Sequence, residues 1–292
     1  MSISTWDEIR TAFHVARMGT VSGAADELGV HHATVIRHID SLEDRLGVKL
    51  FQRHARGYSS TEAGQDLLQV AHATDDQFAQ LVSRIRGRGD EVSGELVITS
   101  LATASPRMTG TLMRFQRQYP DLIIRYLTGD ELFRLEYGEA HVAIRAGSKP
   151  DNPDNVVQPF VSQEVALYAS KDYAEANGLP ASADDMRGHT FVSLDDFNSR
   201  APFFRWLAET VDHDRIVFRA SDARVIRDAI LAGVGIGFST VWEAERFPEL
   251  VKVFPPRDDW SIPTWLVTHV DLHRTTKVQA FLSFLKEDAK TW

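Results

Sequence analysis

Side chains that could bind DNA are concentrated between residues 22 and 56. Residues 31–60 carry five Lys or Arg against three Asp or Glu, together with four histidines, although the 292-residue chain has a formal net charge of −9. Arginine and lysine hold phosphate oxygens, while arginine, serine and threonine also read base edges in the major groove. The residues that could make such contacts are Ser22, His31, His32, Thr34, Arg37, His38, Arg53, His54 and Arg56.

A second set of polar residues follows predicted strands in the rest of the chain. Hydroxyl groups and free backbone N–H groups at the start of a helix can hold a small polar or anionic molecule. Each of these hydroxyls could equally cap a helix or close a turn. The set comprises Thr99, Ser100, Leu101, Thr103, Gly129, Asp130, Ser193 and Ser221, and Arg145 and Phe238 could add a positive charge and an apolar wall.

Several kinds of catalytic and metal chemistry lack the residues that they need. The chain has no cysteine, which excludes disulfides and thiolate chemistry, and it has no His-Glu-x-x-His pattern for zinc. The Gly233-x-Gly235-x-Gly237 run follows a predicted helix and enters a strand, the reverse of the order in a dinucleotide site. Adjacent acidic pairs such as Asp184 and Asp185 point apart. We therefore expect no metal, no cofactor and no enzymatic activity.

The chain also lacks the patterns of membrane insertion and export. Its first residues do not show the basic and then apolar regions of a secretory signal. The longest apolar run, residues 229–238, contains three glycines and is well short of the roughly 18 residues that a membrane span needs. A cytoplasmic protein without membrane association is the expectation.

The DNA-binding side chains require helices to position them, and the first ninety residues are typical of helices. They contain no proline, and Val35, Ile39, Leu42 and Leu46 recur at helical spacing. We expect a helix through Phe13, a short helix over residues 23–28 capped by Ser22, a glycine turn at residue 29, and a third helix that ends at residue 47. Residues 48–60 then predict a two-stranded hairpin. This order is that of a winged helix-turn-helix. The second helix of that motif, here the third predicted helix, enters the major groove.

A long helix is predicted from Thr61 onward. Its apolar positions recur at spacings of 4, 3, 4, 3 and 4, a heptad pattern that calls for a partner helix. The partner could belong to the same chain or to a second copy, and we favour a dimerising coiled coil. The seam consists of Leu67, Ala71, Thr74, Phe78, Leu81 and Ile85.

Beyond the glycine-rich break at residues 87–94, predicted strands alternate with helices. Strands are expected near residues 95–100, 122–127, 142–145, 164–169, 191–194, 216–219, 235–238 and 264–270, with helices near 108–119, 203–210, 222–232 and 275–288. Such alternation favours an α/β domain with a mostly parallel sheet. Sheets of this kind bind ligands at the carboxyl ends of their strands.

Residues 5–64 resemble the DNA-binding domain of LysR-type transcriptional regulators. The resemblance lies in Phe13, residues 24–30 (AADELGV), residues 37–53 (RHIDSLEDRLGVKLFQR) and residues 61–64 (TEAG). It continues through the Gly233–Gly237 signature to the end of the chain. The sequence departs from the family pattern at His31 and Ile36, where serines are common. It departs again at His141, in place of an acidic residue, and at residues 239–240, where a proline is usual.

The resemblance implies an organisation for the whole chain. An N-terminal winged helix-turn-helix, dominated by α-helices, would occupy residues 1–61 and a linker helix residues 62–89. A two-lobed α/β domain, similar to periplasmic binding proteins, would occupy residues 90–292. Lobe I would span about residues 92–161 and 266–292, and lobe II about 162–265. The resemblance implies that the chain binds double-stranded DNA and a small-molecule effector and forms a homodimer or homotetramer. RNA polymerase is a further partner to consider.

Two other interpretations remain open at this point. The chain could be a small-molecule-binding α/β protein whose N-terminal module dimerises without binding DNA, although the basic stretch over residues 31–60 argues against it. An enzyme with an α/β core is the second alternative, and no catalytic constellation supports it.

Overall fold

The computed structural model describes residues 6–54, 57–85, 92–129, 135, 139–196, 199 and 201–292. Arg56, Asp130 and residues 86–91, which include part of the predicted glycine-rich break, lie outside the described residues. Within the described part of the chain, no helix combines the length and the apolar character that crossing a lipid bilayer requires.

The N-terminal region is a three-helix unit with a hairpin. Its elements are α1 (Trp6–Met18), α2 (Val21–Leu28), α3 (His32–Leu46), β1 (Phe51–His54) and β2 (Gly57–Ser60). β1 and β2 pair antiparallel, as the predicted wing requires. The helices share a small apolar core that includes Ala12, Ala24, Ile39 and Leu50. The small residues of α2, Ala24 and Ala25, are buried in this core and allow the helices to approach closely.

The cap of α2 is Thr20, so the expectation that Ser22 caps this helix is wrong. The side chain of Thr20 accepts a hydrogen bond from Gly23 N at 3.1 Å. Ser22 lies inside the first turn of the helix and is exposed. The helix begins two residues earlier than the sequence suggested, because Val21 also packs against the core. At the other end, Gly29 adopts the left-handed conformation with φ of 66°, as predicted.

α4 (Glu62–Ile85) is the predicted long helix. Thr61 caps it, since its hydroxyl accepts a hydrogen bond from Gly64 N at 3.2 Å. The helix packs against α1 of the same chain. Gly64 is required here because a Cβ at this position would lie 2.0 Å from the backbone oxygen of Leu50.

The remainder of the chain is a mixed α/β region. In chain order its strands and helices are β3 (Gly94–Ser100), α5 (Ser105–Gln118), β4 (Leu122–Thr128), β5 (Val142–Ala146), β6 (Asn155–Gln163), β7 (Val165–Ser170), α6 (Lys171–Asn177), β8 (Phe191–Leu194), α7 (Pro202–Thr210), β9 (Ile216–Ala220), α8 (Ala223–Leu231), β10 (Gly237–Thr240), α9 (Val241–Ala244), β11 (Leu250–Phe254), β12 (Ile262–His269), α10 (Val270–His273) and α11 (Thr276–Asp288).

Five strands form the first sheet, in the order β4-β3-β5-β12-β6. β3 is parallel to β4 and β5, whereas β12 is antiparallel to β5 and β6. α5 and α11 bury their apolar faces against this sheet through Phe115 and Phe281. The sheet is therefore mixed, and the expectation of a mostly parallel sheet is wrong. The sequence reading missed β6, in which Pro159 breaks the strand pattern. Proline is tolerated there because β6 lies at the sheet edge.

The second α/β body lies between β6 and β12 in the chain. β7 pairs antiparallel with β10 and β11, and β8 pairs parallel with β9. The chain enters this body after Gln163 and returns at Ile262, and these two residues are paired across β6 and β12. Two neighbouring strands therefore carry the chain between the two bodies, an arrangement that allows them to hinge.

Candidate nucleic-acid interface and ligand site

α3 buries one face and exposes the other. Val35, Ile39 and Leu42 enter the core, while Arg37 on the opposite side and His32 at the start of the helix are exposed. Thr34 is half-buried at the border between the two faces. His31 is the N-cap residue and makes no side-chain capping hydrogen bond. Because the first N–H groups of a helix have no partner within it, this end of α3 can also donate hydrogen bonds to a phosphate oxygen.

The carboxylate of Glu43 joins α3 to the wing. Its side chain is fully buried and accepts hydrogen bonds from Leu50 N at 2.9 Å and Phe51 N at 3.2 Å. Lys49 Nζ donates to it at 2.7 Å. Sequence reasoning treated Glu43 only as part of a family motif. Its helical position beside Leu42, next to the apolar stripe, was the available signal that this carboxylate faces inward.

Arg53 and His54 lie on β1, where the prediction placed the wing. Arg53 forms an ion pair with Asp40 of α3, and its guanidinium carbon lies 5.3 Å from the centre of the Tyr58 ring. The hydrogen bond that Arg53 donates to the Asp40 carboxylate raises the pKa of Arg53. His54 Nε2 lies 2.7 Å from Ser59 Oγ across the hairpin. Arg53 therefore holds the wing against α3, a role that the sequence did not show.

His38 also makes a contact inside the domain. Its Nδ1 atom lies 2.9 Å from Thr11 Oγ1, and Thr11 donates its hydroxyl hydrogen to the backbone oxygen of Asp7 at 2.6 Å. Nδ1 of His38 is then the donor to Thr11. This bond ties α3 to α1 and leaves Nε2 of His38 as the ring atom that is available to a ligand.

The predicted seam of α4 divides into two parts. Leu67 packs against the core of the N-terminal domain, and Ala71 and Thr74 are half-buried. Phe78 and Leu81, further along the helix, are 51% and 42% exposed. Ile85 ends the predicted seam, and its side chain lies outside the described part of the structure. The first part of the seam is therefore covered by the same chain, which was one of the two alternatives. Phe78 also contacts α1 of the same chain, with its ring centre 6.0 Å from that of Trp6, but it and Leu81 remain partly exposed to solvent.

The predicted ligand residues of the first body meet where β3 ends. Thr99 is 1% exposed, and its hydroxyl has no hydrogen-bond partner in the described structure. Ser100 Oγ donates to the backbone oxygen of Leu101 at 2.9 Å and lies 2.6 Å from Tyr126 Oη. Gly129 N donates to the backbone oxygen of Ser100 at 3.3 Å, which brings the ends of β3 and β4 together.

The turn after β3 leads directly into α5. Residues 102–104 form one 3₁₀ turn that contains the half-buried Thr103, and Leu101 beside it is exposed. Arg145 lies on β5, and burial lowers the pKa of its guanidinium. Arg145 belongs to the same sheet as Thr99, whose partner on β5 is Ala143.

The remaining predicted ligand residues lie in the second body. Ser193 is 7% exposed on β8, and Ser221 is exposed immediately before Asp222. Asp222 caps α8 by accepting a hydrogen bond from Arg224 N at 2.8 Å. Phe238 is buried in a cluster of aromatic rings, with ring centres 5.0 Å from Phe203 and 4.9 Å from Trp260. Phe238 therefore packs in the aromatic core of its own body, and its expected role as an apolar wall of a pocket stays a prediction.

Comparisons with known proteins agree with this architecture. Residues 6–65 match the bacterial regulatory helix-turn-helix model of the lysR family, and residues 89–290 match the LysR substrate binding domain. An HTH-type transcriptional repressor of Pseudomonas aeruginosa is 25% identical over 287 residues, which cover 95% of this chain and 90% of the relative.

Two solved structures share the fold. Full-length OxyR from Pseudomonas aeruginosa, a cysteine-to-aspartate variant, has a TM-score of 0.73 at 14% identity and covers 99% of this chain and 96% of its own. Full-length CbnR in complex with its target DNA has a TM-score of 0.60 at 19% identity, with 97% and 99% covered.

A winged helix-turn-helix joined by a long helix to an α/β ligand-binding region defines a DNA-binding transcriptional regulator with an effector domain. The two family models together span nearly the whole sequence. This chain belongs to the LysR family of bacterial transcriptional regulators.

Proposed function

We propose that residues 1–61 bind double-stranded DNA with α3 in the major groove. The observation that carries this proposal is the division of α3 into a buried apolar face and an exposed face that carries Arg37, together with the exposed His32 at the start of the helix. We assign Arg37 to a base edge, because arginine most often contacts guanine in the major groove. We assign His31, Thr34 and Ser22 to contacts with phosphates or neighbouring bases.

The wing and His38 support this contact in a second way. Arg53 holds the wing against α3 through Asp40, and His38 fixes α3 to α1 through Thr11. We assign both as residues that position the recognition surface. His54, on β1, and Arg56, which lies outside the described residues, are the wing residues that we assign to phosphate contacts.

Residues 62–89 join two copies of the chain. Phe78 and Leu81 leave an apolar stripe exposed on α4, and covering it with the same helix of a second copy buries both side chains. A dimer then presents two recognition helices to two half-sites that lie one helical turn, or a multiple of it, apart. Pairing of the α/β domains would extend the dimer to a tetramer, and RNA polymerase is the further partner through which DNA binding would act.

Residues 90–292 sense a small polar or anionic effector. We place lobe I at about residues 92–161 and 266–292, and lobe II at about 162–265. The buried hydroxyl of Thr99, which has no hydrogen-bond partner among the described residues, and the N-terminus of α5 favour a ligand with hydrogen-bonding oxygens. We assign Ser100, Leu101, Thr103, Gly129 and Arg145 to the same site, together with Asp130 and with Ser193 and Ser221 of lobe II.

Effector binding changes how the DNA-binding domains are arranged. A ligand that binds one arrangement of the lobes more tightly than another shifts the equilibrium by its difference in affinity. The chain acts by binding rather than by catalysis, in the cytoplasm where bacterial DNA is found. A thermal-shift screen with small carboxylates and aromatic acids tests this proposal. A ligand for the folded state raises the melting temperature of the native chain and raises that of Thr99→Val much less.

Gel-shift titration on promoter DNA tests the central proposal. The native chain should shift the duplex with an affinity that falls as salt rises, because phosphate contacts release counterions. Arg37→Ala should bind about ten-fold to a hundred-fold more weakly, since a good arginine-base contact contributes about 1–3 kcal/mol. Arg205→Ala, an exposed arginine on α7, provides the matched control and should bind like the native chain.

The alternative is a ligand-binding protein whose N-terminal module only dimerises. That interpretation predicts no salt-dependent shift at any protein concentration, together with equal behaviour of Arg37→Ala and Arg205→Ala. Either result would contradict the DNA-binding proposal.

A further inference from the structure

We infer that Ile36, together with Ala33, reads the C5-methyl group of a thymine in the DNA major groove. This inference rests on the proposed function, because it takes α3 as the element that enters the groove. It assigns a base preference to position 36, where serine is common in the family, so that a contact made by serine does not apply to this chain.

The geometry of α3 brings Ile36 and Ala33 together beside Arg37. Residues three and four apart on a helix are neighbours on its surface, so Ala33 is adjacent to both. Ile36 is 37% exposed and Ala33 is exposed, although isoleucine is among the residues most often buried. The apolar core of the domain uses Val35 and Ile39 instead.

The charges along α3 determine which part of this face meets DNA. Its C-terminal half carries Asp40 and Asp44, and DNA phosphates repel carboxylates. Arg53 neutralises Asp40, whereas Asp44 is exposed. The N-terminal half carries no acidic residue between His31 and Ile39 and includes Arg37. Ala33 and Ile36 therefore lie in the half of the helix that can enter the groove.

Only one apolar group on the four base pairs is presented in the major groove, and it is the thymine methyl. A branched aliphatic side chain that faces the groove has no hydrogen bond to offer, so its favourable partner is this methyl group. Arg37, one residue along the helix, supplies the contact to a guanine. The inferred half-site therefore contains a thymine close to a guanine, and exchanging Ile36 for a hydroxyl residue should relax the requirement for the thymine.

The experiment begins with selection from a pool of random duplex DNA. The native full-length chain and Ile36→Ser are selected in parallel, and the enriched sequences are compared. The thymine whose enrichment depends on Ile36 is then replaced with deoxyuridine, which lacks only the C5-methyl group. Val48→Ser is the matched control, because Val48 is a 49% exposed aliphatic residue outside this face of α3.

The expected result is a thymine enriched by the native chain and by Val48→Ser but not by Ile36→Ser. Deoxyuridine should weaken native binding about four-fold for each half-site, the effect of losing one buried methyl group. Ile36→Ser should bind both duplexes equally, and Ile36→Val should keep most of the discrimination.

Two results would overturn the inference, and they differ in what else they overturn. If a motif is enriched but the native chain binds the thymine and deoxyuridine duplexes equally, Ile36 does not read a methyl group, and the proposed DNA-binding function stands. If the native chain enriches no sequence at all, the proposed function fails together with the inference.

Discussion

The side chain of Glu43 shows how a single residue positions the DNA-binding surface. A buried carboxylate is costly unless hydrogen bonds and a positive charge compensate for its desolvation. Leu50 N, Phe51 N and Lys49 Nζ supply those partners, and all three lie in or next to the wing. The carboxylate therefore couples the position of the wing to that of α3.

Glu43→Leu should lower the free energy of unfolding by about 1–3 kcal/mol, because the two buried backbone N–H groups lose their acceptor. Chemical denaturation of the native and variant chains measures this change. Asp44→Leu is the control: Asp44 is exposed on the same helix, and its replacement should have a much smaller effect. Equal stability of Glu43→Leu and the native chain would contradict the assigned role.

His189 provides a titratable group in the second α/β body. Its Nδ1 atom lies 3.2 Å from Tyr173 Oη, which accepts a hydrogen bond from Thr190 N at 3.0 Å. The Tyr173 hydroxyl therefore donates to a neutral His189. Burial lowers the pKa of His189 below its usual value of 6.5. The contribution of His189 to stability is present above pH 6.5 and is lost as the pH falls toward the lowered pKa.

The melting temperature should consequently fall as the pH is lowered from about 7 to about 5, and His189→Gln should reduce this dependence. Glutamine can accept the Tyr173 hydrogen bond and does not titrate in this range. Thermal unfolding followed across the pH range measures both chains. Identical pH dependence in the two chains would contradict the assignment to His189.

At the scale of single elements, helix ends were harder to predict than helix faces. The stripe of Val35, Ile39 and Leu42 identified the buried face of α3 because apolar spacing reports directly on burial. The start of α2 was misplaced, since Thr20 and Ser22 are both good capping residues and spacing does not choose between them. Only the position of Val21 against the core decides in favour of Thr20.

Thr20→Ala should destabilise the N-terminal domain by about 1 kcal/mol, because Gly23 N loses its capping partner. Ser22→Ala removes a similar hydroxyl from an exposed helical position and should change the stability far less. Denaturant midpoints of the two variants test the difference. A larger effect for Ser22→Ala than for Thr20→Ala would show that the helix begins where the sequence reading placed it.

The exposed end of α4 leads to a prediction about assembly. Leu81→Glu should weaken the dimer without unfolding the chain, because Leu81 is 42% exposed and lies beyond the part of the seam that packs on α1. Light scattering over a range of concentrations should then detect monomers. Gln65→Glu introduces the same charge at an exposed position outside the seam and should leave the dimer intact. An intact Leu81→Glu dimer would contradict the assigned interface.

At the scale of the whole molecule, the order of elements along the chain was predictable, but the pairing of distant strands was not. Alternating apolar runs located most strands of the α/β region, as the agreement at β8 illustrates. The mixed first sheet arises because β12 returns antiparallel between β5 and β6. Pairing between segments a hundred residues apart leaves no local pattern in the sequence. For the same reason the sequence did not show that Phe238 faces an aromatic core.

A further contact joins the two α/β bodies close to their connecting strands. The Arg107 guanidinium on α5 lies 4.2 Å from the ring centre of Trp242 on α9 and 5.0 Å from that of Trp292. Trp292 packs against Phe160 on β6, one of the two strands that carry the chain between the bodies. Burial between these rings lowers the pKa of Arg107. Any change in the angle between the bodies must rearrange this stack, which lies at the N-terminal end of the helix that follows Thr99 and Ser100.

Footprinting of the full-length chain on promoter DNA tests the account most directly, because it requires the recognition helix, the dimer and the spacing of its two halves together. The native chain should protect two patches about one helical turn of DNA, or a multiple of it, apart, and Arg37→Ala should protect neither at the same concentration. A native chain that protects no DNA, or a pattern that Arg37→Ala leaves unchanged, would contradict the account.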